Sequence, residues 1–393
     1  MPLSKKMEFS VNHYLERDRI YGEEERSVVS LAEYERAKVE IKQWSGYSPT
    51  NLYSLPSIAE ELGVSEVWIK DESTRFGLAS FKALGGSYAV SRVLERELRM
   101  TGREADPKSV TVVCATDGNH GRSVAWGAQK CGCSCVIYVP AHVTERRAQE
   151  IASLGAEVVR LQGNYDEAVV QVANDADANG WQVVSDTSYE GYQEIPSWVM
   201  QGYALMVEEA FLQLPETNWP THIFIQGGVG GLAAAVCGHL WETYGPKRPV
   251  ITVVEPTEAD CLYRSAQSGL PESASGSLET IMGGLSCGEI SSLAWKILRP
   301  GIDAFMTVDD TRVGPWMRRL AERRGDESSI VSGESGVTGL IGLEVVSADE
   351  VLRKSLNLNH RSRVMVFSTE GATDPETYRD IVGKDFESVT SPD

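Results

Sequence analysis

The chain has no apolar run near the roughly 20 residues that a bilayer span requires, and its first residues, MPLSKKMEFS, hold no apolar stretch of signal-peptide length. These two absences lead us to expect a cytoplasmic protein with no membrane partner. Positive charge is also in short supply, with 37 Lys and Arg against 56 Asp and Glu and a net charge of −19. Nucleic-acid binding needs a basic face, so no nucleic-acid partner is expected. There is no internal repeat, low-complexity tract or long linker. The one dense group of metal-type residues, Cys131, Cys133 and Cys135, has no histidine near it, and Cys135 opens the apolar run CVIYVP. Zinc usually takes two paired ligand sets, so no metal is expected. Seven cysteines are an odd number, which fits mostly reduced thiols. Whether Cys261 and Cys287 pair is left open by the sequence.

What the sequence does hold is an ordinary globular mix, 42% hydrophobic and 24% charged over 393 residues. That is enough for one large or two medium domains. In the region 110–186, the runs SVTVVCAT, CVIYVP, AEVVRL and WQVVSD read as buried parallel strands. The segments between them have helical spacing, and two of these end at glycine. THIFIQ, VITVVEP, DAFMTVDD and RVMVFSTEG repeat the theme in the second half, and VWIKDES precedes a helix that opens at Lys82. A single helical stretch is expected over 337–355. The pattern predicts an α/β fold of two open, mostly parallel sheets with helices on both faces. We expect a large domain from 1–87 and 197–393, with a small α/β domain, 88–196, inserted into it.

Ligands in such folds sit beyond the carboxyl ends of the strands. The chemically suggestive loops fall there, at 73–86, 116–121, 186–192, 226–231 and 368–374. Lys82 stands at a helix start, where the positive end of the dipole is expected to lower its pKa, as imine-forming lysines require. A surface lysine opening a helix is the plain alternative. The loop Gly227-Gly228-Val229-Gly230-Gly231 can turn backbone N–H groups onto a phosphate. Gly228, Gly230 and Ala233 also fit a dinucleotide fingerprint, with Glu255 ending the next strand, and a tight packing turn would explain the glycines equally. Thr116 to Gly121 (TDGNHG) supplies Asp117 as an acid or base, Asn119 as a donor to a phenolate oxygen, and His120. Asp186 is either a second acid–base carboxylate or a helix cap. Ser332, Glu334 and Ser335 suit a substrate ammonium or carboxylate, or simple helix capping, and Ser368 and Thr369 offer a hydroxyl to a ring nitrogen.

Taken together, these strings resemble the tryptophan-synthase β-like, or fold-type-II, pyridoxal-phosphate enzymes, first through Lys70-Asp71-Glu72, Arg75-Phe76-Gly77 and Ser80 to Gly86 (SFKALGG). Within that group they look like the diaminopropionate ammonia-lyases. The strings that carry this are TDGNHGR, Asp186-Thr187 with Glu190-Gly191-Tyr192, Ile195-Pro196 with Met200 to Tyr203, Ala259-Asp260-Cys261 with Tyr263-Arg264-Ser265, SGESG at 332–336, and STEG at 368–371 with Thr373-Asp374. The resemblance runs from about residue 30 to 380. It implies pyridoxal 5′-phosphate carried on Lys82, its phosphate on Gly227, Gly228, Val229, Gly230 and Gly231, and its phenolic oxygen near Asn119. Ser368 or Thr369 would face the ring nitrogen. Lys82, Asp117 and Asp186 would be the catalytic groups. Ser80, Thr116, His120, Tyr165, Ser332, Glu334 and Ser335 would meet an amino-acid substrate. The implied reaction is α,β-elimination of 2,3-diaminopropionate, D or L, to pyruvate and two ammonia molecules, in a homodimer.

One departure stands out. The glycine loop is denser than this resemblance leads one to expect and is closer to that of the dehydratases. Elimination from serine, threonine or 3-hydroxyaspartate is therefore the alternative of the same fold. A nicotinamide dehydrogenase and a catalytically inert binding protein complete the competing readings.

Overall fold

Five of the apolar runs line up side by side as the parallel centre of one sheet, because each is buried on both faces and has no polar side to turn to water. The strands in chain order are β1 (Phe9–Val11), β2 (Leu52–Ser54), β3 (Glu66–Asp71), β4 (Thr111–Ala115), β5 (Ser134–Val139), β6 (Glu157–Arg160), β7 (Gln182–Val183), β8 (His222–Gln226), β9 (Val250–Pro256), β10 (Ala304–Val308) and β11 (Arg363–Ser368). A seven-stranded sheet has the order β1-β10-β9-β8-β11-β3-β2, and a four-stranded sheet the order β6-β5-β4-β7. Among the strands named, the edges β1 and β2 pair antiparallel and all the others pair parallel. This is a computed structural model, and it describes residues 7–390 apart from 101–105, Asp117, His142, Gly163, Asn164 and Asp326.

The two open, mostly parallel sheets expected from the sequence are present. On one face of the large sheet, Ile223, Ile225, Ile251 and Val253 pack with the helices Glu194–Leu212, Gly231–Tyr244 and Ser292–Gly301. On the other, Phe224, Val254, Met306 and Val366 pack with the helices Val313–Ala321 and Thr338–Ser347. The expected domain division at 87/88 and 196/197 falls inside two helices, Lys82–Met100 and Glu194–Leu212, which pack on one another. Among the described residues no helix is long and apolar enough to cross a membrane.

Two expectations need correction. The stretch 337–355 is not one helix: Thr338–Ser347 ends, and Asp349 starts a second, Glu350–Ser355, by accepting the N–H groups of Val351 and Leu352. The run WQVVSD gives only the two-residue β7. Tyr192 folds back on it, its hydroxyl accepting from Ser185 N–H and donating to the Val183 carbonyl, which turns the chain out of the sheet toward the cleft.

Candidate active site

β3, β8 and β11 end together, and the loops that leave them form the floor of a cleft. The segment from β3 to Lys82 is irregular, with Phe76 and Ala79 both held at positive φ, 51° and 53°. Such backbone persists in non-glycine residues only when its surroundings enforce it. Two sets of bonds do so. Phe81 N–H donates to Thr369 O (3.0 Å) and Gly371 N–H to Ala79 O (2.9 Å), which stitches the segment to the exit of β11. Behind it, Arg75 spans two buried carboxylates, with Nε 2.8 Å from Glu72 and Nη2 2.7 Å from Glu209, while Lys70 closes on Glu209 at 2.9 Å. Ser80 accepts the Lys82 N–H at 3.3 Å and so starts the helix Lys82–Met100.

Lys82 Nζ does not stand alone at this helix end; it is paired with Asp186 Oδ2 in the loop after β7. The expected lowering of its pKa is therefore overturned. Burial alone would lower it, but the negative charge of Asp186, its hydrogen bond and the nearby Tyr203 and Cys287 raise it above the ordinary lysine value. Burial pushes Asp186 up, and the charge of Lys82 with its hydrogen bond more than reverses that, holding its carboxyl below the usual range. Asp186 is thus no helix cap in this structure. His120 Nε2 lies 2.8 Å from the Val184 carbonyl, which can only accept, so Nε2 carries the proton. Among the described residues its buried Nδ1 has no hydrogen-bond partner, and it lies 3.8 Å from Asp186 Oδ2. Burial, with help from the Lys82 charge, lowers the His120 pKa and keeps the ring neutral.

The glycine loop joins β8 to the helix Gly231–Tyr244. Gly228 and Gly230 take φ of 62° and 98°, conformations that suit glycine, and a Cβ on Gly230 would stand 2.8 Å from Leu298 Cδ1. The N–H groups of that helix's first turn have no partner within the helix. Gly231 borders the Asp186 backbone: a Cβ there would sit 3.7 Å from its carbonyl oxygen. Glu255 is unavailable to a ribose. It is buried, and its carboxylate accepts the N–H groups of Leu262 (3.0 Å) and Tyr263 (2.7 Å) at the start of another helix. Burial pushes it up to about 8. That removes the acidic partner of the dinucleotide reading.

Asn119 Nδ2 donates to Glu370 Oε2 (2.6 Å), and Ser335 N–H donates to Glu370 Oε1 (3.0 Å). Ser368 Oγ donates to Ser332 Oγ at 2.8 Å, both fully buried. Glu334 lies beside Glu370; burial first, and then that neighbour's charge, pushes it up to about 7. Thr116 faces inward, its hydroxyl accepting from Gly118 and Gly121 N–H (3.0 and 3.1 Å), which holds the loop before Asn119. Asp117 lies outside the described residues. Tyr165 begins the helix Tyr165–Asn179, but its side chain is likewise outside the described part.

So Lys82, Asp186 and His120 come together, with the glycine loop beside them and Asn119, Ser332, Ser335 and Ser368 gathered through Glu370 and hydroxyl contacts. Sequence reasoning missed Glu370, Tyr203 and Gln226. The Gln226 amide donates to the carbonyls of Ser335, Gly336 and Phe367 at 2.8–3.1 Å, and so ties the exits of β8 and β11 to the SGESG turn. A carboxylate flanked by glycine at a strand end was the signal available for Glu370. All seven cysteines are free, Cys261 and Cys287 included. Among the described residues no group of His, Cys, Asp or Glu is placed to hold a metal ion.

One cleft thus holds a lysine amine, a glycine loop with left-handed backbone at Gly228 and Gly230, and a buried hydroxyl pair. That donor set fits a phosphorylated aldehyde cofactor. Comparison with known proteins agrees. Residues 44–369 match the family model described as pyridoxal-phosphate dependent enzyme. The chain is 39% identical over 386 residues to diaminopropionate ammonia-lyase of Escherichia coli K12, covering 95% of this chain and 97% of that one. It is 40% identical to the enzyme of the same name from Salmonella typhimurium LT2, over 87% and 89% of the two chains. A crystal structure of the E. coli enzyme, in complex with an aminoacrylate–PLP azomethine reaction intermediate, superposes with a TM-score of 0.87 at 38% identity, over 96% and 97% of the chains. The chain belongs to the pyridoxal-phosphate-dependent enzymes and, within them, to the diaminopropionate ammonia-lyases.

Proposed function

We propose that this chain eliminates the β-amino group of 2,3-diaminopropionate, giving pyruvate and two ammonia molecules, with Lys82 as the cofactor's tether. The observation that carries the reading is the Lys82–Asp186 pair beside the glycine loop, in a chain 39% identical along nearly its whole length to enzymes of that name.

Pyridoxal phosphate, when bound, supplies the electron sink that makes the α C–H acidic. Lys82 would hold it, Gly227 to Gly231 would hold its phosphate, Asn119 would approach its phenolic oxygen, and Ser368, steadied by Ser332, or Thr369 would face its ring nitrogen. The protein's own work is to move protons. Lys82, as a free amine, takes the α-proton from one face of the substrate. Asp117 takes it from the other, so that both D and L substrates are open to attack. Asp186 gives a proton to the departing β-amine, a poor leaving group without one. Its partner Lys82 keeps it ionised at rest, so it gains that proton only once Lys82 changes its charge or position. Ser80, Thr116, His120, Tyr165, Ser332, Glu334 and Ser335 orient the substrate. Residues 88–196 act as the smaller unit, closing on the larger to exclude water. The working enzyme is a cytoplasmic homodimer.

An amino-acid panel tests this. Diaminopropionate should yield two ammonia per pyruvate. Turnover of serine, threonine or 3-hydroxyaspartate alone, with one ammonia per 2-oxo acid, would sink the assignment in favour of a dehydratase.

A further inference from the structure

Tyr203 sits on the helix Glu194–Leu212, and none of the roles above uses it. Its side chain is 1% exposed, and among the described residues its hydroxyl completes no hydrogen bond of ordinary geometry, although Lys82 lies close enough to act on it. Buried hydroxyls are nearly always satisfied, so an unpaired one beside a reacting amine needs an explanation. The ring lies against Phe81, centroids 4.6 Å apart, and Lys82 Nζ stands 5.4 Å from the centroid of Phe81 and 5.9 Å from that of Tyr203.

This approach is built into the backbone. A Cβ on Gly85 would stand 2.4 Å from Tyr203 Cε1, and a Cβ on Gly202 would stand 2.6 Å from the Leu84 carbonyl oxygen. One glycine on each helix therefore lets the two touch, one turn past Lys82, and brings the Tyr203 ring within 5.9 Å of the amine. The two groups also act on each other's charge. Burial raises the Tyr203 pKa against the opposing charge of Lys82, so the phenol stays neutral. The neutral phenol acts on Lys82 through its oxygen, in the direction that favours the ammonium.

We propose that Tyr203 is a positioning residue for Lys82, its hydroxyl being the second hydrogen-bond partner that Nζ takes up on leaving Asp186. The proposal rests on the reading of Lys82 as the cofactor's tether. A phenol can accept from an ammonium and donate to a free amine, so it can hold Nζ in either state while Asp186 serves the leaving group. The Phe81 and Tyr203 rings both lie within 5.9 Å of the head group, which leaves it few directions. The other titratable groups acting on or beside the pair are Asp186, Cys287 and His120, and all three stay in place when only the Tyr203 oxygen is removed.

Tyr203→Phe keeps the ring and its packing. In the full-length cofactor-free protein, acylation of Lys82 by acetic anhydride across pH, read by mass spectrometry, reports how much free amine is present. We expect Tyr203→Phe to be acylated about threefold faster at pH 9, a fall of roughly half a pH unit in the lysine pKa. In the holoenzyme we expect kcat for diaminopropionate to drop about tenfold with KM unchanged. The melting temperature should stay within about 1 °C of wild type, since the ring and its packing are kept. An acylation profile and kcat equal to wild type overturn the proposal, as does a lower melting temperature with unchanged acylation, which would make the residue merely structural. If the wild-type protein develops no visible band with pyridoxal phosphate, the reading of Lys82 itself fails. A wild-type band with unchanged acylation in the variant defeats only the role of Tyr203.

Discussion

Asp186 meets Lys82 from the loop beyond the four-stranded sheet, 104 residues further along the chain, and sets the charge of both groups. Their side chains are 16% and 21% exposed, so solvent screens the pair only in part. Asp186→Asn should lower kcat for diaminopropionate by about 10²- to 10³-fold, the range expected on losing a general acid. It should also cost on the order of 2 kcal/mol of stability in the cofactor-free protein, less than a fully buried pair would. The pH dependence has a definite sign. The Asp186 contribution is present above the ordinary carboxylate range and is lost as pH falls through its depressed folded value. The Lys82 contribution is present below the ordinary lysine range and is lost as pH rises through its raised folded value. Denaturant melts of wild type and variant should differ by a constant amount across neutral pH and converge at both extremes. A gap that persists unchanged in strong acid would show that the pair's charge is not what stabilises it.

The glycine loop gives a second prediction. Gly230 combines a φ of 98° with a Cβ position 2.8 Å from Leu298 Cδ1, so Gly230→Ala meets both backbone strain and a clash. The expected cost is about 1–3 kcal/mol, concentrated where the N–H groups must converge. Titration of the visible band should show pyridoxal phosphate bound at least tenfold more weakly, with turnover largely recovered in excess cofactor. An unchanged cofactor affinity would remove the phosphate from this loop.

Much of this architecture was legible because the central strands are buried on both faces and so read as unbroken apolar runs. The loops that end them could be read for the same reason: polar residues such as Thr116, Asn119 and Asp186 interrupt apolar sequence abruptly. What local sequence could not supply was partnership across the fold. Lys82 at a helix start suggested a lowered pKa, and the residue that reverses it lies in another sheet. Tyr203 and Glu209 sit on a helix buried almost throughout, where a polar residue gives no sign of which way it faces. β1, three residues long, is held as a strand by its pairing with β10 rather than by any pattern of its own.

The buried charge cluster behind the lysine segment supports a third prediction. Arg75 joins Glu72 to Glu209, and Thr50 Oγ1 adds a contact to Glu72 at 2.6 Å. Arg75→Met leaves two buried carboxylates with Lys70 alone to offset them, which should cost about 3–5 kcal/mol. Arg75→Lys should recover less than half of this, since a point charge cannot reach both carboxylates as the guanidinium fork does. Because the cluster holds Phe76 and Ala79 at positive φ, cofactor occupancy should fall along with the melting temperature. A melting temperature within about 1 °C of wild type for Arg75→Met would mean that the cluster contributes little.

Glu334 supports the last. Burial and the neighbouring Glu370 charge push its carboxyl up to about 7, so it changes charge near neutral pH. Its folded value lies above its unfolded one, so ionisation is favoured more in the unfolded chain than in the folded protein. Stability is then lost as pH rises from the ordinary carboxylate range to about 7, by on the order of 2–3 kcal/mol in total. Glu334→Gln removes that loss. Relative to wild type it should gain stability steadily between roughly pH 4.5 and 7 and stay level above. If Glu334 in its charged form draws in the substrate's second ammonium, kcat/KM for diaminopropionate should rise through a limb near pH 7 that is absent from the variant. Serine, with a hydroxyl in that place, should show no such limb in either protein. Stability curves that stay parallel across this range would mean that Glu334 ionises as an ordinary carboxylate and takes no part in the pH response.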